Sequence, residues 1–266
     1  MAHFLRDQHV RNLWVEADTF DELSRALAAA AGTMPVTNDQ NGQPQQPHLT
    51  YIIRFDNKGY RVFSLTDLLS HFRIARYVER VILTLESSEA LRTNRAIGSY
   101  AEIRLDHKEE KNCYVSVSSD NGQWVDATYG AIHDILAKQK TFNGLFRGAW
   151  MQLIAQLVGV AAGFAISVWG ASTIAPYLQV ENAFLIAFLL ALLIFSNLWT
   201  YLNRQLVTGM WRLFPNLDFR RPSKWKYLWL GQTIVGSIVV AVVFYLLNIA
   251  FTYIGKVLGQ ALGFGT

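Results

Sequence analysis

The stretch AWMQLIAQLVGVAAGFAISVWGA (Ala149–Ala171) is followed by two further apolar runs, AFLIAFLLALLIFSNLWTYL (Ala183–Leu202) and Tyr227–Ile254. None of the three contains Asp, Glu, Lys, Arg or His. A helix rises about 1.5 Å per residue, so about 20 apolar residues cross the roughly 30 Å hydrocarbon core of a bilayer. Helices of a soluble core normally keep a polar stripe, which these runs lack. The sequence therefore predicts an all-α membrane domain of three transmembrane helices.

Charge divides the 266 residues into two parts. Residues 1–147 hold 17 Lys and Arg against 18 Asp and Glu, whereas residues 148–266 hold 7 against 2. The basic pI near 9.2 therefore comes from residues that flank the apolar runs, and we expect no nucleic-acid partner. The first part is long enough to build a hydrophobic core of its own. We predict a cytosolic domain over 1–147 and the membrane domain over 148–266.

The content of Lys and Arg in each short loop predicts its side of the membrane. The loop between the first two runs, Ser172–Asn182, has none. The connection between the second and third runs has six: Arg204, Arg212, Arg220, Arg221, Lys224 and Lys226. The positive-inside rule then places the N-terminal domain and this connection in the cytoplasm and the C-terminus outside. The apolar segment Leu206–Phe214 is expected to extend the second span at the level of the inner headgroups.

Four of these basic residues, Arg220, Arg221, Lys224 and Lys226, have two interpretations. They are candidate contacts for anionic lipid headgroups, which stabilise each such charge by about 1 kcal/mol. An ordinary topology signal explains the same run and is the more common cause of one. Membrane lipid is the expected partner in either case.

The first 147 residues alternate strand and helix patterns in the order βα–ββα–βββα, which predicts an antiparallel α+β domain because hairpins cannot supply parallel crossovers. Thr19-Phe-Asp-Glu22 has the spacing of a capping box that starts a helix. Asp56-Asn-Lys-Gly59 predicts a four-residue hairpin connection in which the glycine is available for the left-handed position. Further strands are predicted at Leu13–Glu16, Leu49–Phe55, Tyr60–Ser64, Arg80–Leu85, Ser99–Leu105 and Cys113–Val117, and further helices at Leu65–Tyr77 and from Trp124 to about Lys140.

Only Thr141–Gly148 separates this last helix from the first apolar run. The segment contains Asn143 and Gly144, and a coil of about seven residues keeps its ends within roughly 15 Å. Such a short connection is expected to transmit movement of the cytosolic domain to the first span. We therefore predict that Asn143 and Gly144 belong to a coupling linker.

Glycines recur at a spacing of four residues, at Gly159 and Gly163 in the first run and at Gly255, Gly259 and Gly263 after the third. This spacing lets helix backbones approach closely in a bilayer. Packing within the chain's own bundle and contact between subunits are both compatible with it. Three spans offer little internal surface, so we favour subunit contact and predict a homo-oligomer.

No pattern typical of catalysis is recognisable. The six histidines lack zinc-ligand spacing, and the chain has no phosphate loop, dinucleotide fingerprint or nucleophile elbow. A single cysteine, Cys113, allows no disulfide within the chain, and Met1–Gln8 has no signal-peptide character. We expect neither enzymatic activity nor a metal or cofactor. The spans also lack the ionisable side chains that ion-coupled transporters use.

The first hypothesis is an oligomeric membrane effector, in which the cytosolic domain senses a ligand or partner and gates a pore-like or membrane-perturbing assembly of the spans. Small bacterial stress and antiviral-defence effectors share this layout, which suggests a bacterial inner membrane by analogy. The expected signal is a cytosolic protein or a small molecule. A membrane-anchored adaptor that does not conduct is the second hypothesis, and a membrane-bound enzyme with an unrecognised site is the third.

Overall fold

The structure is a computed structural model that describes residues 3–35 and 45–220, together with isolated positions between 230 and 248. Contacts divide the chain into two units, Met1–Arg221 and Pro222–Thr266. The strands of the first unit are β1 (Phe4–His9), β2 (Leu13–Val15), β3 (His48–Phe55), β4 (Lys58–Val62), β5 (Val78–Glu86), β6 (Tyr100–Asp106), β7 (Tyr114–Ser119) and β8 (Leu217–Phe219). Its helices are α1 (Ala17–Thr33), α2 (Leu65–Ile74), α3 (Ser88–Arg92), α4 (Gly122–Lys138), α5 (Asn143–Arg147), α6 (Ala149–Ile174) and α7 (Ala183–Leu213).

A six-stranded antiparallel sheet organises the N-terminal region, in the order β1-β7-β6-β5-β3-β4. This confirms the predicted antiparallel sheet, with helices following it in the C-terminal part of the chain. In the central strand β5, alternate residues Val81, Leu83 and Leu85 are fully buried. Because successive side chains of a strand point to opposite faces, these three share one face. Helices α1, α2 and α4 contribute buried side chains to the same hydrophobic core.

Strands β2 and β8 form a separate parallel pair that was not predicted. Leu13 and Val15 of β2 are buried, and so are Leu217 and Phe219 of β8. The Phe219 ring lies 6.3 Å from that of Phe20, which belongs to α1. The basic connection after the second apolar run thus supplies a strand to the core of the N-terminal domain.

The N-cap of helix α1 lies three residues before the predicted one. Glu16 is the N-cap: its side chain accepts the backbone N–H of Thr19, and the Thr19 hydroxyl accepts the backbone N–H of Glu16. The prediction that Thr19 starts the helix was therefore wrong. Thr19 lies in the first turn. Its side chain bonds back to the N-cap backbone, which is the role in the capping box that Glu22 was expected to have.

The β3–β4 connection has two residues rather than the predicted four. Phe55 pairs with Lys58, which leaves Asp56 and Asn57 as the turn. Both take left-handed backbone angles, with φ of 48° and 63°. Two left-handed central residues define a type I′ turn, and Asp and Asn tolerate that conformation better than most residues. Gly59 is consequently a strand residue.

Helices α6 and α7 coincide with the first two apolar runs. The segments Ala149–Tyr177 and Ala183–Leu213 have mean hydropathies of 1.8 and 2.2 and are long enough to cross a bilayer. This length and composition suggest a membrane association. The third predicted span, Tyr227–Ile254, lies outside the described residues apart from isolated helical positions. Two candidate membrane helices, not three, are therefore present in the part of the chain that the structure describes.

Candidate coupling site between the α+β domain and the apolar helices

The connection from α4 to α6, predicted as a coil, contains helix α5. The coil estimate of its reach therefore does not apply, because a helical turn with side-chain anchors has a fixed length. Asn143 is buried, and its side-chain N–H donates to the carbonyl of Pro215 at 3.0 Å. Pro215 follows the end of α7. Asn143 thus joins the chain entering α6 to the chain leaving α7.

Gly144 approaches the β1–β2 connection closely. A Cβ atom at this position would lie 2.5 Å from Nδ2 of Asn12, inside van der Waals contact. Any larger residue would have to displace the Asn12 amide. Asn143 therefore contacts the segment that follows α7, and Gly144 contacts the β1–β2 connection. These are the two residues predicted to form a coupling linker. Their role in coupling stays a prediction.

Arg147, the last residue of α5, contacts both α7 and the α+β domain. Its guanidinium group donates to the Phe214 carbonyl at 3.2 Å and to the Glu110 carboxylate at 2.8 Å. It also lies 5.4 Å from the Trp211 ring. Carbonyls at the end of a helix lack intrahelical partners and form the negative end of its dipole, so a cation is favourable there. Arg147 therefore caps α7 while pairing with a carboxylate of the α+β domain.

Asn12 connects the same two chain segments through its backbone. Its N–H donates to Oδ1 of Asn216 at 2.9 Å, and its carbonyl accepts the N–H of Thr141 at 2.7 Å. Asn12 has a φ of 59°, a left-handed conformation that asparagine tolerates. The neighbouring Leu13 N–H donates to the Asn216 carbonyl at 2.9 Å. The β1–β2 connection is thus bonded on one side to the entry to α5 and on the other to the exit from α7.

Strand β8 is further fixed by a histidine of the main sheet's β6–β7 connection. Nδ1 of His107 donates to the Leu217 carbonyl at 2.6 Å, and the His107 ring meets the edge of the Tyr77 ring at 5.2 Å. At the other end of β8, the Arg220 N–H donates to the Val15 carbonyl at 2.9 Å. Both ends of the α6–α7 hairpin are consequently attached to the α+β domain.

Within the hairpin, Gly159 and Gly163 are buried against α7. A Cβ at Gly159 would overlap the ring of Trp199, and one at Gly163 would overlap the ring of Phe195. Both contacts join α6 to α7 within one chain. They agree with packing inside the chain, which is one of the two interpretations that the glycine spacing allows. Contact between subunits through the same two glycines is not tested by the packing of one chain and stays a prediction.

Most of the other predicted site residues fall outside the described part of the chain: Arg221, Lys224 and Lys226, with Gly255, Gly259 and Gly263. Arg220 is described. Its guanidinium group lies over the ring of Trp14, and burial lowers the pKa of Arg220 from its ordinary value. Arg220 is therefore packed on β2, while its predicted contact with lipid headgroups stays a prediction.

Several residues of this site were not identified from the sequence: Asn12, Glu110, Arg147 and Asn216. A usable signal was present after the second apolar run. Pro215 and Asn216 mark the end of a helix, and Leu217-Asp-Phe219 has the apolar–polar alternation of a strand. Three residues are too few for that alternation to be distinctive.

Comparison with known proteins gives no relative from which the site can be interpreted: no family model, no curated protein and no solved structure matches the chain.

Proposed function

We propose that this chain is an oligomeric integral membrane protein whose cytoplasmic α+β domain senses a ligand or partner and gates a pore-like or membrane-perturbing assembly of its helices. The layout is that of small bacterial stress and antiviral-defence effectors, and we place the protein in a bacterial inner membrane. One observation carries the proposal: both ends of the apolar hairpin are attached to the soluble domain through Arg147, Asn143 and the β2–β8 pair.

Attachment at both ends favours gating because a conformational change needs a rigid route between two sites. A movement of the β1–β2 connection relative to the sheet displaces Thr141 and Asn216 together, since Asn12 is bonded to both. These two residues precede α5 and follow α7. The same displacement therefore reaches both helices of the hairpin, and a single flexible tether would not transmit it.

The orientation proposed is a cytoplasmic N-terminal domain with an external C-terminus. Pairing of β8 with β2 supports a common side of the membrane for the N-terminal domain and the connection after α7. Residues 217–219 must lie on the same side of a membrane as the domain that contains β2. This agrees with the side that the basic residues of the connection predict. Contact of Arg220, Arg221, Lys224 and Lys226 with anionic headgroups of the inner leaflet is part of the same proposal.

Oligomerisation is part of the proposal because one hairpin offers no path for ions. The runs Ala149–Ala171 and Ala183–Leu202 contain no ionisable side chain. A water-filled route must therefore be lined by backbone and by small or polar side chains contributed by several chains. Gly159 and Gly163, or Gly255, Gly259 and Gly263, are the proposed contacts between subunits.

The decisive experiment inserts about ten Gly and Ser residues between Gly148 and Ala149, which separates α6 from α5 and leaves every contact of Arg147 intact. The matched control places the same insertion in the α6–α7 loop, between Val180 and Glu181. Flux from liposomes is measured with each purified protein, and native mass reports assembly. We expect flux to be lost or constitutive in the first variant and unchanged in the control. Wild-type, signal-dependent flux in both variants would refute gating.

A membrane-anchored adaptor is the second candidate, and the edge strand β1 favours it. Every residue of β1 is exposed, including Phe4 at 50% and Leu5 at 57%. An exposed edge strand has unpaired backbone groups with which a partner's strand can pair. An adaptor needs only tethering, so it would tolerate the insertion after Gly148 and would show no flux. Stoichiometric co-purification of a cytosolic partner would support it.

A further inference from the structure

A cleft of about 290 Å³ lies between the β1–β2 connection and the C-terminal half of α4. Its basic lining residues are His9, Arg11, His133 and Lys140, and its polar ones include Asn12 and Thr141. None of the described residues that line it carries a carboxylate. The α+β domain as a whole is near neutral. Glu110 and Asp134 lie just outside this lining, 3.7 Å from Arg11 and 3.8 Å from His133, so the positive charge is partly balanced at the rim while the lining itself is basic.

The basic side chains reach the cleft from different elements. Arg11 belongs to the β1–β2 connection, His133 to the fourth turn of α4, and Lys140 follows the end of that helix. Convergence of charges from separate elements concentrates the positive potential within the cleft. Nδ1 of His9 is held by the Cys113 carbonyl at 3.3 Å, which leaves Nε2 as the nitrogen that gains a proton when this ring is charged.

The end of α4 does not cancel this potential. The negative end of a helix dipole resides on its last carbonyl groups. In α4 the carbonyls of Leu136 and Ala137 accept the N–H of Gln139, and the Gln139 carbonyl accepts the N–H of Trp14 at 2.9 Å. These bonds satisfy the acceptors that would otherwise repel an anion at Lys140.

We infer that this cleft binds a small phosphorylated anion. Its volume lies near the lower end of small-ligand pockets and accommodates a group of the size of pyrophosphate. Arg and Lys donors supply charge-assisted hydrogen bonds to phosphate oxygens, and both histidines add donors when protonated. The phosphate belongs either to a soluble cytosolic compound or to a lipid headgroup, since Lys140 and Thr141 directly precede the segment that enters α6.

The position of the cleft gives this ligand a regulatory role, an inference that rests on the proposed function. Asn12 and Thr141 line the cleft and are bonded to each other within the coupling site. A ligand that contacts them restrains the connection to which both ends of the hairpin are attached. Occupancy is therefore linked to the hairpin without any contact between ligand and α6 or α7.

Glu110 provides a second link. Its carboxylate lies 3.7 Å from Nε of Arg11 and 2.8 Å from Arg147, so one acidic group serves both the cleft and the cap of α7. A phosphate group bound to Arg11 competes for that cation. Glu110 then pairs with Arg147 alone. The contact of Arg147 with the end of α7 is therefore strengthened when a ligand occupies the cleft.

The test titrates inorganic pyrophosphate into the full-length protein in phosphatidylcholine nanodiscs by calorimetry. The double variant Arg11→Gln, Lys140→Gln removes two charges of the cleft. The control Lys58→Gln, Lys138→Gln makes the same change in net charge at exposed residues that do not line it. We expect pyrophosphate affinity to fall at least about tenfold in the first variant and to stay within about twofold in the control.

A second arm separates the two sources of phosphate. Phosphatidylglycerol replaces phosphatidylcholine, and competition by the lipid headgroup would weaken pyrophosphate binding to the wild type; unchanged affinity identifies a soluble ligand. Equal loss in both double variants, or no binding of pyrophosphate in either lipid, overturns the site. Pyrophosphate binding that depends on the cleft residues but leaves liposome flux unchanged would keep the site. It would overturn the regulatory role of the ligand and gating through the β1–β2 connection.

Discussion

Arg147 and Glu110 join the start of the apolar hairpin to the sheet domain by an ion pair of 2.8 Å, and the same guanidinium group donates to the carbonyl of Phe214 at the end of α7. The Arg147 side chain is only 17% exposed, so the pair is less screened by solvent than an ordinary surface pair. Three separate segments of the chain therefore meet at one cation.

A double-mutant cycle with Arg147→Gln and Glu110→Gln measures the strength of this pair. We expect a coupling free energy of about 1 kcal/mol, because the pair is partly buried and charge-assisted. Thermal unfolding of the purified protein in detergent supplies the measurement. The control cycle uses Arg25 and Asp21, an exposed pair within α1, for which we expect at most about 0.5 kcal/mol. Equal coupling in both cycles would show that the Arg147 pair has no special role.

Replacement of Gly144 by Ala is expected to destabilise the domain by up to about 1 kcal/mol, because the new Cβ would meet the end of the Asn12 side chain at 2.5 Å and that side chain would have to rotate away. Gly130→Ala is the matched control. It also lies in a helix but has open space around it, and should stabilise by about 0.5 to 1 kcal/mol. The second substitution Asn12→Gly should restore stability to Gly144→Ala, since it removes the amide and suits the left-handed backbone. Failure of this rescue would argue against the close approach.

Gly159→Ala tests how the helices of the hairpin meet. We expect lower thermal stability because the methyl group would overlap the Trp199 ring, whereas Gly170→Ala, with no neighbour within 4 Å, should be neutral. Adding Trp199→Leu to Gly159→Ala should recover part of the loss if packing is intramolecular. Native mass measured on the same variants tests subunit contact. A smaller oligomer with no recovery by Trp199→Leu would assign the glycine to that contact instead.

Orientation is testable with a membrane-impermeant maleimide in intact cells. A cysteine introduced at Val180 should be labelled from outside, and one introduced after Thr266 likewise. A cysteine in place of Arg221 should be labelled only after the membrane is opened, because the neighbouring β8 is paired with β2 of the domain that we propose to be cytoplasmic. These variants are made in a Cys113→Ala background. External labelling at residue 221 would contradict the proposed topology.

Burial raises the pKa of the Cys113 thiol to about 11. Iodoacetamide should therefore modify Cys113 slowly at pH 8 in the folded protein and readily after unfolding. The folded-state pKa lies above the unfolded value of 9.0, so the stabilising contribution is complete below pH 9 and is lost as pH rises toward and through 11. We expect the stability difference between wild type and Cys113→Ala to shrink by about 2 kcal/mol between pH 8 and pH 11. A constant difference would show that the thiol titrates normally in the fold.

Local sequence patterns predicted every strand of the main sheet except the edge strand β1. Strands β3, β5 and β6 were found because apolar residues alternate in them or run together, as at Val81, Leu83 and Leu85. β1 was missed because its residues, Phe4–His9, are all exposed and mix apolar with charged side chains. The conformation of the β3–β4 turn was not predicted from the sequence. Glycine is the usual left-handed residue, yet Asp56 and Asn57 take that conformation in the β3–β4 turn.

The coupling site was less accessible to sequence analysis because its contacts join distant parts of the chain. Asn12 and Asn216 are 204 residues apart, and no local pattern connects them. A basic residue next to an apolar run, such as Arg147, is already explained by the positive-inside rule. Nothing else in the sequence indicated its bonds to Glu110 and Phe214. The spacing of Gly159 and Gly163 is compatible with packing inside the chain and with contact between subunits, and we favoured contact between subunits. Their contacts with Trp199 and Phe195 lie within one chain and leave that prediction untested.

Synthesis on the ribosome must deal with the late position of β8. Leu13 and Val15 are translated early, yet the strand that covers them follows about 200 residues later, after both long apolar helices. At about 5 to 20 residues per second, the nascent domain waits roughly 10 to 40 s with this edge open. A chain that fails to bring residues 217–219 back to β2 is left with an unfinished core, because Leu13 and Val15 lose the strand that pairs with them.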